Sequence, residues 1–375
     1  MHKSYWKCCC TGIVAWQREK ESIVMTQTDS KTPQADQFHV ASGDTMKAIV
    51  YTHYGSPEVL QFKEVAKPTP RDNEVLVHVH AASVNAADLH FLRADPFLMR
   101  LWSGLLKPKH AILGAAIAGR VEAVGRNVKQ LQPGDEIFGD LTKYGLGAFA
   151  EYVCAREDAV ALKPANVTFE QAAAVPLAAV TALQGLRAKG QIQLGQQVLI
   201  YGAGGGVGTF AVQIAKAFGA RVTAVCSTRN VDMVRSMGAD HVIDYTQEDF
   251  THNGQQYDLI VAANGNRSIA EYKRALRPNG TYVMTGGSNK QVFQAMLLGS
   301  WISMTGTKKL GNLMAKPNAK DLGFVKELLE EGLVVPVIER SYPLAETADA
   351  LRYLEEGHAR GKVVITVDQN HHTSR

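Results

Sequence analysis

Two rhythms of apolar and polar residues divide the chain. From Met46, short β-type runs alternate with turns: MKAIVY at 46–51, EVLVHVHAASV at 74–84, IAGRVEAVG at 117–125, DEIFG at 135–139 and FAEYVCA at 149–155. Turn residues separate them at Tyr54-Gly55-Ser56-Pro57, Lys67-Pro68-Thr69-Pro70 and Gln132-Pro133-Gly134-Asp135. Strands at this spacing predict a compact β-rich domain. After about Val167 the pattern becomes strand, helix, strand. QQVLIYG reads as a strand and GTFAVQIAKAFG as a helix; RVTAVC, HVIDY, YDLIVAA and TYVMTGG read as further strands, with a helix in VDMVRSMG. Alternation of this kind predicts a parallel sheet covered on both faces, an α/β doubly wound unit. From about Leu310 a helix in DLGFVKELLEEG and a strand in KVVITV follow. Residues 1–45 carry no periodicity, and Thr26–Thr45 is rich in Thr, Gln, Ser and Asp, which predicts a disordered extension.

Composition narrows the class. At 375 residues, 46% of them apolar and 20% charged, the chain suits two ordinary soluble domains. No run of about 18 uncharged apolar residues occurs, so an integral membrane span is not expected. A net charge of +4 without a basic run gives no case for nucleic acid. Cys8, Cys9, Cys10, Cys154 and Cys226 form neither a disulfide framework nor a metal spacing, which suits a reducing compartment; a cytoplasmic location is expected, with an organelle or a membrane periphery as alternatives. Acidic Glu19, Glu21, Asp29 and Asp36 argue against a transit peptide in the tail.

The chemistry concentrates at Tyr201–Thr209, between a strand and a helix. Ala203, Gly205 and Gly208 form an A-x-G-x-x-G dinucleotide fingerprint, with Gly204, Gly206 and Val207 between them. Glycine lets the chain turn tightly, lets a pyrophosphate approach the backbone and lets the helix pack close to the strand. The helix N-terminus then offers free N–H groups to the phosphates. The next strand ends in Cys226-Ser227-Thr228-Arg229-Asn230 rather than in the carboxylate of an NAD site. Arg229 can pair with a 2′-phosphate and Ser227 can donate to it, so the expected cofactor is NADPH.

With these features, the chain resembles the medium-chain dehydrogenase/reductase superfamily, in its zinc-free quinone oxidoreductase branch. The resemblance runs from Met46 to Val367 on VNAADL (84–89), AGRVEAVG (118–125), PGDEIFG (133–139), AAAVPLAAVTALQGL (172–186), GAGGGVGTFAVQIAK (202–216), GADHVIDY (238–245) and HARGKVVI (358–365). It implies a GroES-like catalytic domain from 46–167 and 310–375, a Rossmann domain from 168–309, a cleft between them, and a homodimer paired through SWISMTGTK (300–308). At the family's zinc-ligand positions stand Asn85, Ala115-Ala116 and Leu177, none able to bind zinc, and 143–153 carries no cysteine lobe. The resemblance therefore implies metal-free reduction of quinones or of the C=C bond of α,β-unsaturated carbonyls.

It also implies roles for particular residues. Asn85 donates to the substrate carbonyl or orients a water, Asp88 supports it, and His90 serves as proton donor. Thr181 lies against the nicotinamide, Tyr245 contacts the 2′-phosphate, and Gly361 and Lys362 return to the cofactor. Asn230, Asn264 and Gly286 complete the expected cofactor contacts. Ala116 replaces an acid frequent in the family, and Ala262-Ala263-Asn264-Gly265 replaces Asp-x-Val-Gly, as in a chloroplast-envelope quinone oxidoreductase-like subgroup of long-chain enone and ketol reductases. The apolar stretches within 91–110 and at 292–298 read as core, or as lids over the cleft that favour a lipophilic acceptor. The competing readings are a crystallin-like or membrane-associated cofactor-binding protein with little turnover, a pathway-specific enoyl reductase, and a zinc-free alcohol dehydrogenase.

Overall fold

The computed structural model describes residues 44–287 and 306–367. Within them the two sequence rhythms become two sheets. The strand-helix alternation folds into six parallel strands in the spatial order His241–Asp244, Arg221–Cys226, Gln197–Tyr201, Tyr257–Ala262, Leu276–Met284, Lys309–Asn312. Numbered by sequence, that order is 3-2-1-4-5-6, the dinucleotide-binding winding. Its central strands Gln197–Tyr201, Arg221–Cys226 and Tyr257–Ala262 are mainly apolar because both faces are covered. One face packs Val198, Ile200, Val222 and Leu259 against Phe210, Ile214, Leu183 and Phe324 from helices. The other packs Leu199, Tyr201, Val225 and Ile260 against Phe250, Ile269 and Tyr272.

The β-rich part forms a mixed sheet of seven strands. Ile338–Pro343 and Lys362–Thr366 pair in parallel at one side, and Lys362–Thr366 runs antiparallel beside Glu74–Val84. Ala116–Val124, Glu136–Asp140 and Val160–Leu162 continue the sheet, while Tyr152–Arg156 also pairs with Glu74–Val84. Thr45–Val50 and Gln61–Ala66 make a separate antiparallel pair. The last described strand, Lys362–Thr366, is thus locked between Ile338–Pro343 and Glu74–Val84, so segments far apart in the chain build this domain.

Some sequence expectations move. The first strand begins at Thr45, the last residue of the expected tail. Leu276–Met284 begins five residues before TYVM, since Leu276 and the turn after it continue the pairing beside Tyr257–Ala262. Lys309–Asn312 belongs to the parallel sheet, so that sheet crosses the boundary drawn at residue 309. Helix Ala319–Glu330 likewise buries Leu322, Val325 and Leu328 in the core shared with the Rossmann helices. In the 91–110 stretch the core reading holds for Leu92, which is fully buried, and fails for Phe97 and Leu106, which are 68% and 90% exposed. The tail to residue 43, Cys8–Cys10, the 292–298 stretch and residues 300–305 of the expected dimer strand lie outside the described residues. Among the described residues, no helix is long and apolar enough to cross a membrane.

Candidate active site

The phosphate turn is assembled from both sides of the strand Gln197–Tyr201. Gly202 adopts φ +80°, in the left-handed region that favours glycine, and its N–H and that of Ala203 both donate to Val225 O, at 3.1 and 3.0 Å. Gly205 caps the helix Gly206–Ala217 in extended conformation. A Cβ on Gly208 would lie 2.1 Å from Gly202 O and 2.7 Å from Ala203 Cα, so the helix approaches the turn as closely as glycine permits. A Cβ on Gly204 would strike Asn230 Nδ2 at 2.4 Å. Asn230 itself is buried, donates to Ser227 Oγ at 3.2 Å and leaves its Oδ1 with no hydrogen-bond partner.

That orphaned oxygen, the glycine cradle and the free helix N-terminus fit a phosphate-bearing dinucleotide whose hydroxyls can donate to Asn230. Ser227 Oγ accepts from Asn230 and keeps its own hydrogen for a further acceptor. Arg229 is exposed beside it, and Tyr245 is 46% exposed, with its backbone N–H on Cys226 O at 3.0 Å. The strand end after Tyr257–Ala262 passes over the turn: Ala263 N donates to Tyr201 O at 2.9 Å, and Asn264 N lies 3.1 Å from where a Gly202 Cβ would stand. Gly286 closes this side, its carbonyl accepting from Gly265 N at 3.1 Å.

The β-rich domain reaches the turn through its last strand. Gly361 N donates to Gly204 O at 2.8 Å, and Gly205 and Gly361 form a parallel bridge. Lys362 follows, 4% exposed, with its Cδ 3.0 Å from where a Gly206 Cβ would stand. Its Nζ donates to Asn85 Oδ1 at 2.5 Å and to Val84 O at 3.1 Å. Asn85 N-caps helix Ala86–Arg93, and its backbone N–H donates to Asp88 Oδ2 at 2.8 Å, so the carboxylate closes back over the helix start. Asn85 therefore stands between a buried cation and a buried anion.

Burial dominates the electrostatics. It pushes the Asp88 carboxyl up to about 7; the Asn85 N–H and the Lys362 charge pull down, and the nearby Asp140 carboxyl pushes up. The Lys362 ammonium is pushed down to about 8 by burial, with Asp88 opposing. Asp140 is itself raised by burial, although Thr142 donates to it twice, at 2.8 Å through its N–H and 2.5 Å through its hydroxyl. Tyr51 is raised by burial, and Asp88 adds to the shift.

The expected catalytic residues are only partly brought together. Asn85 and Asp88 share one network with Lys362. Asn85 is less free than expected: Oδ1 is held by Lys362, and Nδ2 donates to Ser83 O at 2.9 Å and, through a long contact of 3.5 Å, to Ser83 Oγ, so one amide hydrogen is only weakly engaged. Thr181 is buried and gives its hydroxyl hydrogen to Leu177 O at 2.7 Å, so its oxygen can only accept. Beyond Leu183 that helix continues as a π-turn over Gln184–Lys189, whose Gln184 and Arg187 both engage Asp321. His90 lies two residues past Asp88, where its Nδ1 sits 2.8 Å from Asp95 O. A carbonyl only accepts, so Nδ1 carries the hydrogen and Nε2 is the nitrogen available for proton exchange. Sequence reasoning did not find Asp140 or the Lys362–Asn85 bond. The signal for Asp140 was an acid closing the apolar run IFGD; the bond joins residues 277 apart and had no local signal. At the positions where zinc ligands would stand, Ala115 and Ala116 are fully buried, and no group of three or more metal-ligating side chains occurs among the described residues.

Comparisons with known proteins show the family to which the chain belongs. Residues 71–165 match the alcohol dehydrogenase GroES-like domain and residues 237–365 the zinc-binding dehydrogenase family. A chloroplast envelope quinone oxidoreductase homolog of Arabidopsis thaliana is 34% identical over 337 residues, spanning 86% of this chain and 99% of that one. The 2-methylene-furan-3-one reductase of Solanum lycopersicum is 34% identical over 368 residues, spanning 93% and 87%. Among solved structures, the quinone oxidoreductase from Coxiella burnetii superposes with a TM-score of 0.77 at 30% identity, over 87% of this chain and 100% of that one.

Proposed function

Because the chain belongs to the medium-chain dehydrogenase/reductase superfamily, in its quinone oxidoreductase branch, we propose that it reduces quinones or the C=C bond of α,β-unsaturated carbonyls with NADPH. The observation that carries this reading is the junction of the phosphate turn with the Asn85–Asp88–Lys362 network through Gly361 and Lys362. A dinucleotide laid on the turn is thereby directed toward that network.

In this reading Gly204, Gly205, Gly206, Val207 and the start of the helix receive the pyrophosphate, and Ala203, Asn264 and Gly286 line its path. Ser227, Arg229 and Tyr245 receive the 2′-phosphate, with Asn230 holding Ser227 in place. The chemistry such a cofactor supplies is hydride. Thr181, with its hydroxyl hydrogen spent inward, presents an acceptor to the carboxamide side of the nicotinamide. The Asn85 amide hydrogen that only the long contact to Ser83 Oγ engages, backed by the Lys362 charge, stabilises negative charge on the acceptor oxygen. As the imidazolium, with Nδ1–H kept on Asp95 O, His90 releases the proton it carries on Nε2 and is left as the neutral Nδ1–H ring. Asn85, Ala115, Ala116 and Leu177 offer no metal-binding donor set, so the polarisation is assigned to hydrogen bonds. A homodimer is part of the proposal.

Oxidation of NADPH and NADH with a panel of quinones, 2-alkenals and enones tests it. Turnover with NADPH preferred is expected. Arg229→Glu should raise the KM for NADPH by roughly 10- to 100-fold, the loss of a charge-assisted contact, and change that for NADH by less than about threefold. NADPH binding without turnover of any acceptor would replace the enzyme reading with that of a cofactor-binding protein.

A further inference from the structure

Lys362 is placed where a buried charge has no evident structural need. Its neighbours along the strand are apolar, Val363 and Val364 at 1% and 0% exposure, and a methionine of similar length would fill the same space. An ionised ammonium buried this deeply is unfavourable unless its hydrogens and its charge are answered. Two hydrogens are answered by Asn85 Oδ1 and Val84 O. The charges facing it are few. Asp88 approaches from helix Ala86–Arg93, with Asp140 behind it on Glu136–Asp140; the positive end of helix Gly206–Ala217 lies on the other side. That helix end repels an ammonium and so disfavours the charged lysine, while an anionic group on the turn favours it.

We propose that Lys362 is a positioning residue that couples cofactor occupancy to the chemistry: its ammonium group fixes the Asn85 amide, and its stem and the Gly361 N–H lie on the phosphate turn. The inference rests on the dinucleotide-dependent reading above and deepens it. An anion on the turn raises the charged fraction of Lys362. The charged form holds Asn85 Oδ1 by a charge-assisted bond, roughly twice as strong as a neutral one. Holding Oδ1 aims the Nδ2 hydrogen that only the long 3.5 Å contact to Ser83 Oγ engages, and an acceptor oxygen can take that hydrogen over. One side chain thereby reports the presence of the cofactor to the group that polarises the acceptor.

The test measures kcat, the acceptor KM and the NADPH dissociation constant from pH 6 to 10 for the wild type, Lys362→Met and Lys362→Arg. Dissociation constants come from the fluorescence of bound NADPH, independent of turnover. In the wild type kcat, which reports the NADPH-bound enzyme, should fall at a pH above the value of about 8 that burial sets for Lys362 in the free protein, as the lysine loses its proton. Lys362→Met should lower kcat by roughly 10- to 100-fold and abolish that alkaline fall, with the acceptor KM changed less than about threefold. Lys362→Arg should recover most of kcat and keep it level to pH 10, because a guanidinium stays charged. A Lys362→Met enzyme with wild-type kcat and the same alkaline fall overturns the proposal. So does one that loses only NADPH affinity, which makes Lys362 a cofactor contact and nothing more. Should Lys362→Met fail to fold, an unmoved alkaline fall in Lys362→Arg is sufficient to refute it. If the wild type binds neither dinucleotide, the functional reading itself fails; if it binds and turns over while the variants behave as wild type, only the coupling fails.

Discussion

At the scale of single residues, the site is defined by charges held where folding alone would not put them. Asp88 is raised to about 7 and Lys362 lowered to about 8, both chiefly by burial. A carboxyl raised above its unfolded value near 3.9 costs stability as pH rises from about 4 to about 7. An ammonium lowered below its unfolded value near 10.4 costs stability as pH falls from about 10 to about 8. The two costs meet between pH 7 and 8, where both groups are charged. Replacing the pair together, as Asp88→Asn with Lys362→Met, should leave the protein as stable as the wild type or about 1–4 kcal/mol more stable there, and inactive. The difference in Tm between double variant and wild type, followed from pH 4 to 11, should be largest near pH 7 to 8 and shrink at both ends. A double variant less stable than the wild type throughout would mean that the pair supports the fold. Neither charge was legible as buried in the sequence. VNAADL marks Asn85 and Asp88, and HARGKVV marks Lys362, but only folding reveals that 277 residues of chain separate two bonded atoms.

At the scale of elements, the helix Gly206–Ala217 and its turn show why some structure reads directly from sequence. Apolar β-branched residues in QVLIY, a glycine turn and an apolar helical stripe are all local, and each falls within about two residues of its observed bounds. The structure sharpens why Gly208 is needed, since a side chain there meets Gly202 O and Ala203 Cα rather than a yielding side chain. Gly208→Ala should therefore lift the helix end off the turn. The expected cost is about 1–3 kcal/mol in stability, read from urea unfolding, with NADPH affinity lost by at least tenfold. Unchanged NADPH affinity would show that the turn does not seat the phosphates. What stayed illegible are the non-local parts: the sheet passing residue 309, the π-turn at Gln184–Lys189, and the exposure of Phe97 and Leu106. Each depends on partners far along the chain. The π-turn needs Asp321, and Lys309–Asn312 needs Leu276–Met284 beside it.

At the scale of the whole molecule, the two sheets are joined by a shared core and by a directed backbone contact. Gly361 N to Gly204 O joins backbone to backbone, and the core containing Val364 also contains Ala203 and Phe210. A shared core and a shared hydrogen bond predict that a ligand on the turn stabilises both domains together. NADPH at about 100 times its dissociation constant contributes about 2.7 kcal/mol, which for a chain of this length raises Tm by about 3 °C. Scanning calorimetry should show one transition moving by that amount. Two transitions, of which only one moves, would mean that the domains unfold independently.

The bond between Gly361 and Gly204 also has a meaning in time. A chain leaving the ribosome makes its glycine turn early, and domains fold as they emerge. Yet the carbonyl of Gly204 has to wait for more than 150 further residues before its partner arrives, and Asn85 waits longer still for Lys362. A nascent or truncated chain that stops before Gly361 therefore has the cradle but lacks the strand that finishes it. Such a chain should hold a dinucleotide more weakly than one that carries Gly361 and Lys362.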